Sequence, residues 1–77
     1  MEQKIKQTGI DIGGNIRRVR KEKGIGQTEL VRMLQLRGVN MTRETLVKSE
    51  RGRQHITGAQ LRGIRDCLET SYDELLK

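Results

Sequence analysis

Arg43, Glu44 and Lys48 are long polar side chains within one short stretch, TRETLVKSERGR at 42–53. They share a face that has little reason to be buried. On a short helix of a small basic scaffold, such side chains can hydrogen-bond to base edges in the DNA major groove. The stretch 27–52, QTELVRMLQLRGVNMTRETLVKSERG, reads as two short helices joined by a turn, with these three residues on the second.

The elements around them must do the positioning. Asp11 is a plausible N-cap for a first helix from Ile12 to about Lys23, with Ile12, Ile16 and Val19 as one apolar stripe. Gly13 and Gly14 weaken its first turn by about 1 kcal/mol each relative to Ala. Gly24 then stops it. Gly26 caps a second helix, Glu29 suits its first turn, and Leu30, Val31 and Leu34 face the core with Met33 beside them. That pattern ends near Leu36, and Gly38 and Asn40 mark a turn. Thr42 caps helix three, Leu46 is its core residue and Gly52 ends it. Thr57 and Gln60 form a capping box for helix four, whose stripe is Leu61, Ile64 and Leu68 with Cys67 alongside. Ser71 and Glu74 form a second box for a short last helix containing Leu75 and Leu76. No strand pair, repeat or low-complexity segment is read. The expectation is an all-α, compact orthogonal bundle of five short helices over 11–77, preceded by a flexible arm over 1–10.

Composition bounds the function. The chain has 77 residues, enough for one domain with a marginal core. Sixteen basic against ten acidic residues give a formal +6, which suits a polyanionic partner. One cysteine excludes an internal disulfide and fits a reducing cytosol. No apolar run approaches a membrane span and no signal-peptide core is present. No nucleophile pair, metal-ligand spacing or phosphate-binding glycine loop is found, so the reading is of a protein without enzymatic activity, cofactor or metal. His55 stands alone, and Arg62 and Arg65 read as a solvated face.

The ordered set IRRVR at 16–20, GIGQTEL at 24–30, Thr42 with Thr45 and Leu46, SERGR at 49–53 and SYDELL at 71–76 resembles the phage repressor and Cro-like helix-turn-helix domains, the xenobiotic-response-element family. The resemblance covers roughly residues 12–76 and implies a lambda-repressor-like fold. It matches Arg20 to the helix-one arginine that pairs with the glutamate closing helix three, here Glu50. It matches Gln27 to a phosphate contact at the start of helix two, where free amides and the dipole favour an anion. It matches Arg43, Glu44 and Lys48 to base-reading positions. Arg43 can fork onto guanine, Glu44 can accept from cytosine N4, and Lys48 can reach guanine or a phosphate. Glu44 and Lys48 also stand at i, i+4, so a mutual ion pair is the competing reading. Thr42 and Thr45 have hydroxyls suited to phosphate, though Thr42 can serve as a cap alone. Arg51 and Arg53 flank Gly52 where the family's turn follows the DNA backbone.

The sequence departs from the family pattern in places. Val31 stands where a small alanine is usual, and Ser49 where a larger apolar residue is common. Gly26 replaces the usual Ser or Thr cap. The connection from Gln35 to Met41 is several residues longer than the family's tight turn, and Val39 and Met41 are expected to plug the gap. The implied function is sequence-specific binding of double-stranded DNA at a palindromic operator, as a cytoplasmic transcriptional regulator of repressor type. A homodimer forms at least on DNA, through Tyr72, Leu75 and Leu76. The chain ends at Lys77 directly after the last helix, which implies control by concentration and protein partners and no small-molecule ligand. The alternative is a protein-interaction or antitoxin-type module. It would show an exposed apolar patch instead of a basic face.

Overall fold

The computed structural model describes residues 4–5 and 9–77, and the rest of the expected arm lies outside the described residues. The Asp11 carboxylate accepts from the Gly14 amide at 2.9 Å and opens α1 over Ile12–Glu22. The helix α2 runs Gln27–Leu36 from an extended Gly26 that offers no side chain. The Thr42 hydroxyl accepts from the Thr45 amide and opens α3 over Arg43–Glu50. Two further helices complete the bundle, α4 over Gly58–Leu68 and α5 over Tyr72–Leu76.

The first three helices end alike. In α3 the Gly52 amide donates to the Ser49 carbonyl and the Arg53 amide to the Lys48 carbonyl, with Gly52 at φ +74°. Equivalent bonds close α1 around Gly24 and α2 around Gly38. This is the Schellman closure, and it turns the chain sharply at each end. Helix α4 ends the same way with a side chain in the glycine's place: Glu69 takes φ 51°.

One strand pair exists where none was expected. Lys4–Ile5 (β1) pairs antiparallel with Ile56–Thr57 (β2), Lys4 opposite Thr57 and Ile5 opposite Ile56. Two residues are too few to show alternation in a sequence. Ile56 is wholly buried, which fixes β2 against the core before α4 begins.

The core is one cluster drawn from every helix, including Ile16, Leu30, Leu34, Leu46, Ile64 and Leu75 at 0% exposure. Helix α3 gives it only Leu46 and buries Ser49 and Glu50 beside it, while Arg43, Glu44 and Lys48 are exposed. Gly13 has a larger role than weakening a turn. A Cβ there would run into the Ser49 carbonyl oxygen, so the missing side chain is what lets α1 and α3 touch. At Gly14 a Cβ would displace the Asp11 carboxylate from its cap.

The long connection is stitched in place. Met41 is buried and Val39 packs on the core beside Gly63, where a Cβ would meet Val39 and Leu34. Gln35 Nε2 donates to the Met41 carbonyl at 3.3 Å, and Gln60 Nε2 donates to the Asn40 carbonyl at 3.0 Å.

Two expectations for the last helices need correction. Thr57 and Gln60 make both bonds of a capping box. Ser71 makes one bond, to the Glu74 amide, while the Glu74 carboxylate goes to Lys77 at 3.1 Å and Arg18 at 3.5 Å. The second box is therefore a half-box. Leu75, expected at a dimer contact, is fully buried and unavailable to a partner. A five-residue helix has to anchor itself through its apolar residues, and Leu75 is that anchor. Its end is tied to α1, where Asn15 Nδ2 donates to the carbonyls of Leu75 and Lys77. Tyr72 and Leu76 are half-buried against the core, with the Arg65 guanidinium 4.5 Å over the Tyr72 ring. Arg65 also bonds Asp66 at 2.8 Å, so it is not part of a freely solvated face.

Candidate nucleic-acid interface

The angle between α1 and α3 is set by one buried ion pair. Arg20 Nε donates to Glu50 Oε2 at 2.8 Å, and its Nη2 donates to Oε1 at 3.0 Å. Both side chains are under 10% exposed. The remaining Nη1 donates to the Ile25 carbonyl at 2.9 Å, in the turn leading to α2. Gln27 joins from the start of α2, its Nε2 donating to Glu50 Oε1 at 3.1 Å. A bidentate guanidinium–carboxylate pair is planar and directional. Here it joins α1, the α1–α2 turn, α2 and α3 at one point.

Over this network lies an open cleft of about 720 Å³, lined by Arg17, Arg20 and Lys21 of α1, Gln27 of α2, and Arg43, Val47, Glu50 and Arg51 at α3. Five of these eight are cationic, and the one acid, Glu50, is already paired with Arg20. The cleft therefore presents net positive charge. A second hollow of about 360 Å³ continues across Arg43 and Arg51 to Glu44, Lys48 and Arg53. Gln27, Arg43, Glu44, Lys48, Arg51 and Arg53 thus stand on one surface, drawn from two helices and a turn.

Other expected residues fall elsewhere or are engaged. Thr42 Oγ1 accepts from the Thr45 amide at 3.1 Å and donates to Thr45 Oγ1 at 3.0 Å. Both threonines are thus bound up in capping α3, and neither lines the two hollows. Glu44 Oε1 holds Lys48 Nζ at 3.0 Å across one helical turn.

Arg17 and Lys21 were missed as members of this face. The signal was available. They stand at i, i+4 on either side of Arg20, so turning Arg20 toward helix three brings both to that side. Arg18, on another face of α1, goes instead to Glu22 and α5.

Among the described residues, the remaining reactive side chains come together at no second site. Cys67 is buried in the α4 stripe, and burial pushes its thiol up, away from the thiolate form. The hydrogen bond from Arg65 holds the Asp66 carboxyl below the usual carboxylate range. Among the described residues no group of three His, Cys, Asp or Glu side chains could hold a metal ion. No helix among them is long and apolar enough to cross a membrane.

No family model matches the chain, and no curated protein does. Among solved structures it is similar to the restriction-modification controller protein C.AhdI from Aeromonas hydrophila, at 22% identity and a TM-score of 0.73. The match covers 87% of this chain and 94% of that one. The likeness is one of fold: this chain shares the all-α helix-turn-helix fold of that structure.

Proposed function

We propose that the protein is a transcriptional regulator that binds double-stranded DNA sequence-specifically, laying α3 in the major groove. The observation that carries this reading is the continuous basic surface of the two hollows, with the outer side chains of α3 at its middle. An α-helix with its side chains is about 10–12 Å across, which fits the width of the groove. Arg43 and Lys48 address base edges, with Glu44 as an acceptor for an amino group. Arg17, Lys21, Arg51 and Arg53 flank them and contact phosphate, with Gln27 at the start of α2. Thr45 stays in the reading as a minor phosphate contact through its own hydroxyl proton, and Thr42 joins it only by giving up the proton that it donates to Thr45 Oγ1. The name of the solved neighbour, a controller protein, agrees with a regulatory role.

The protein acts by binding and not by catalysis, in the cytoplasm where the DNA is, as a repressor that blocks a promoter. Two copies related by a two-fold axis read half-sites about one helical turn apart. Tyr72 and Leu76 remain candidates for the contact between copies.

The test is a titration of duplex DNA across a salt series. With about six to eight phosphates engaged per dimer, log K falls against log salt with a slope of roughly −5 to −7. A slope near zero, or no binding at low salt, overturns the proposal.

A further inference from the structure

The reading surface contains one acid, Glu44, whose first-turn place on α3 suits the helix dipole but adds little to the fold. Glu44 is 78% exposed in the first turn of α3, with its carboxylate on Lys48 Nζ at 3.0 Å. Thr42 already caps this helix, and an exposed ion pair adds little to stability. Its neighbours around the outer hollow are Arg43, Val47, Lys48, Arg51 and Arg53, so Glu44 cancels a charge where cations are concentrated. For affinity alone it has the wrong sign. Phosphates repel it, and so do guanine N7 and O6, adenine N7 and thymine O4. Only the amino groups of cytosine and adenine donate in the major groove.

We propose that Glu44 is a specificity-determining residue that works by exclusion. On DNA without an amino group beneath it, its carboxylate stays on Lys48, withholds that cation and repels the acceptor edges. Where cytosine N4 or adenine N6 faces it, the carboxylate accepts from the base and releases Lys48 to a phosphate or guanine. Discrimination then comes from penalising wrong sequences as well as favouring the right one. This inference rests on the proposed reading of α3 as the major-groove helix and adds the exclusion role to it.

The experiment compares two duplexes, one selected for tight binding and one scrambled from it at equal composition. Wild type, Glu44→Gln, Glu44→Ala, Lys48→Met and Glu44→Gln with Lys48→Met are titrated by fluorescence anisotropy across a salt series. Thermal melts check that each is folded. Glu44→Gln and Glu44→Ala should bind the scrambled duplex more tightly, and the ratio between duplexes should shrink roughly tenfold. Their salt slope on scrambled DNA should steepen by about one, the share of one extra phosphate. The gain should vanish in the double variant. If Glu44→Gln weakens the selected duplex without tightening the scrambled one, Glu44 is a plain acceptor and the exclusion role is wrong. Unchanged ratio and slope overturn it as well. If wild type binds neither duplex at low salt, the DNA reading itself falls and takes this inference with it.

Discussion

Arg20 and Glu50 sit where removing one side chain does most damage. Each is desolvated, and each holds the other's hydrogen-bonding groups. Breaking such a pair from one side leaves a buried charge alone, at a cost of roughly 3–5 kcal/mol. Arg20→Met and Glu50→Leu should each lower stability by about that much in urea unfolding. The double variant Arg20→Met with Glu50→Leu should recover most of the loss, since an apolar pair of similar volume is near neutral. Equal losses in single and double variants would show that the pair has no coupling. The Asp66 carboxyl is lowered by its bond from Arg65, and the Glu74 carboxyl by Lys77. A carboxyl depressed in the folded state adds stability above its ordinary value, about 4, and loses it as pH falls through the folded value. The melting temperature should therefore fall on acidification below about pH 4. The fall should be shallower in Asp66→Asn with Glu74→Gln. Both residues are only half-buried, so solvent screens these pairs and the difference is small.

At the scale of elements, the way each helix ends gives a clean comparison. Three helices close on glycine and α4 closes on Glu69 at φ 51°. A left-handed conformation costs an ordinary residue roughly 1–2 kcal/mol, while glycine gives back part of that through its freer unfolded chain. Glu69→Gly should leave stability unchanged or raise it by up to about 1 kcal/mol, and a clear loss would show that the Glu69 side chain matters to the fold. Gly13→Ala should destabilise by about 1–3 kcal/mol, because the methyl meets the Ser49 backbone, which cannot move aside easily. A gain, as helix propensity alone predicts, would contradict the close packing of α1 on α3.

These same elements show what could be read from the chain. The stripes Ile12–Ile16–Val19 and Leu61–Ile64–Leu68, the caps Asp11, Thr42 and Thr57, and the stops Gly24 and Gly52 are local signals with a period or a fixed offset, and each appears as expected. The β1–β2 pair, the α4 stop at Glu69 and the need for Gly13 depend on partners distant in sequence or on a strained residue with no compositional mark. The shared surface of Gln27, Arg43, Glu44, Lys48, Arg51 and Arg53 was expected from the family resemblance, position by position, and not from spacing alone. Arg17 and Lys21 were legible as well, since they flank an Arg20 already matched to Glu50, but they were not placed on it. Leu75 misled for a related reason: an apolar residue on a short final helix reads equally as interface or anchor.

At the scale of the molecule, part of the basic charge of the described residues is gathered on one face. Arg18, Arg65 and Lys77 are in ion pairs away from the hollows, while Arg17, Lys21, Arg43 and Arg51 line one cleft. Salt should therefore weaken DNA binding steeply while scarcely changing the melting temperature, since surface pairs contribute little to folding. Parallel salt sensitivity of both would mean that the cleft's charges serve the fold. The central claim, that α3 reads sequence, is tested most directly by selection from a randomised duplex pool, with Arg43→Ala run beside the wild type. The account predicts an enriched palindrome with half-sites about one helical turn apart. In Arg43→Ala the palindrome should persist but relax at one position of each half-site. A pool that binds without enrichment, or a motif that Arg43→Ala leaves unchanged, would contradict it.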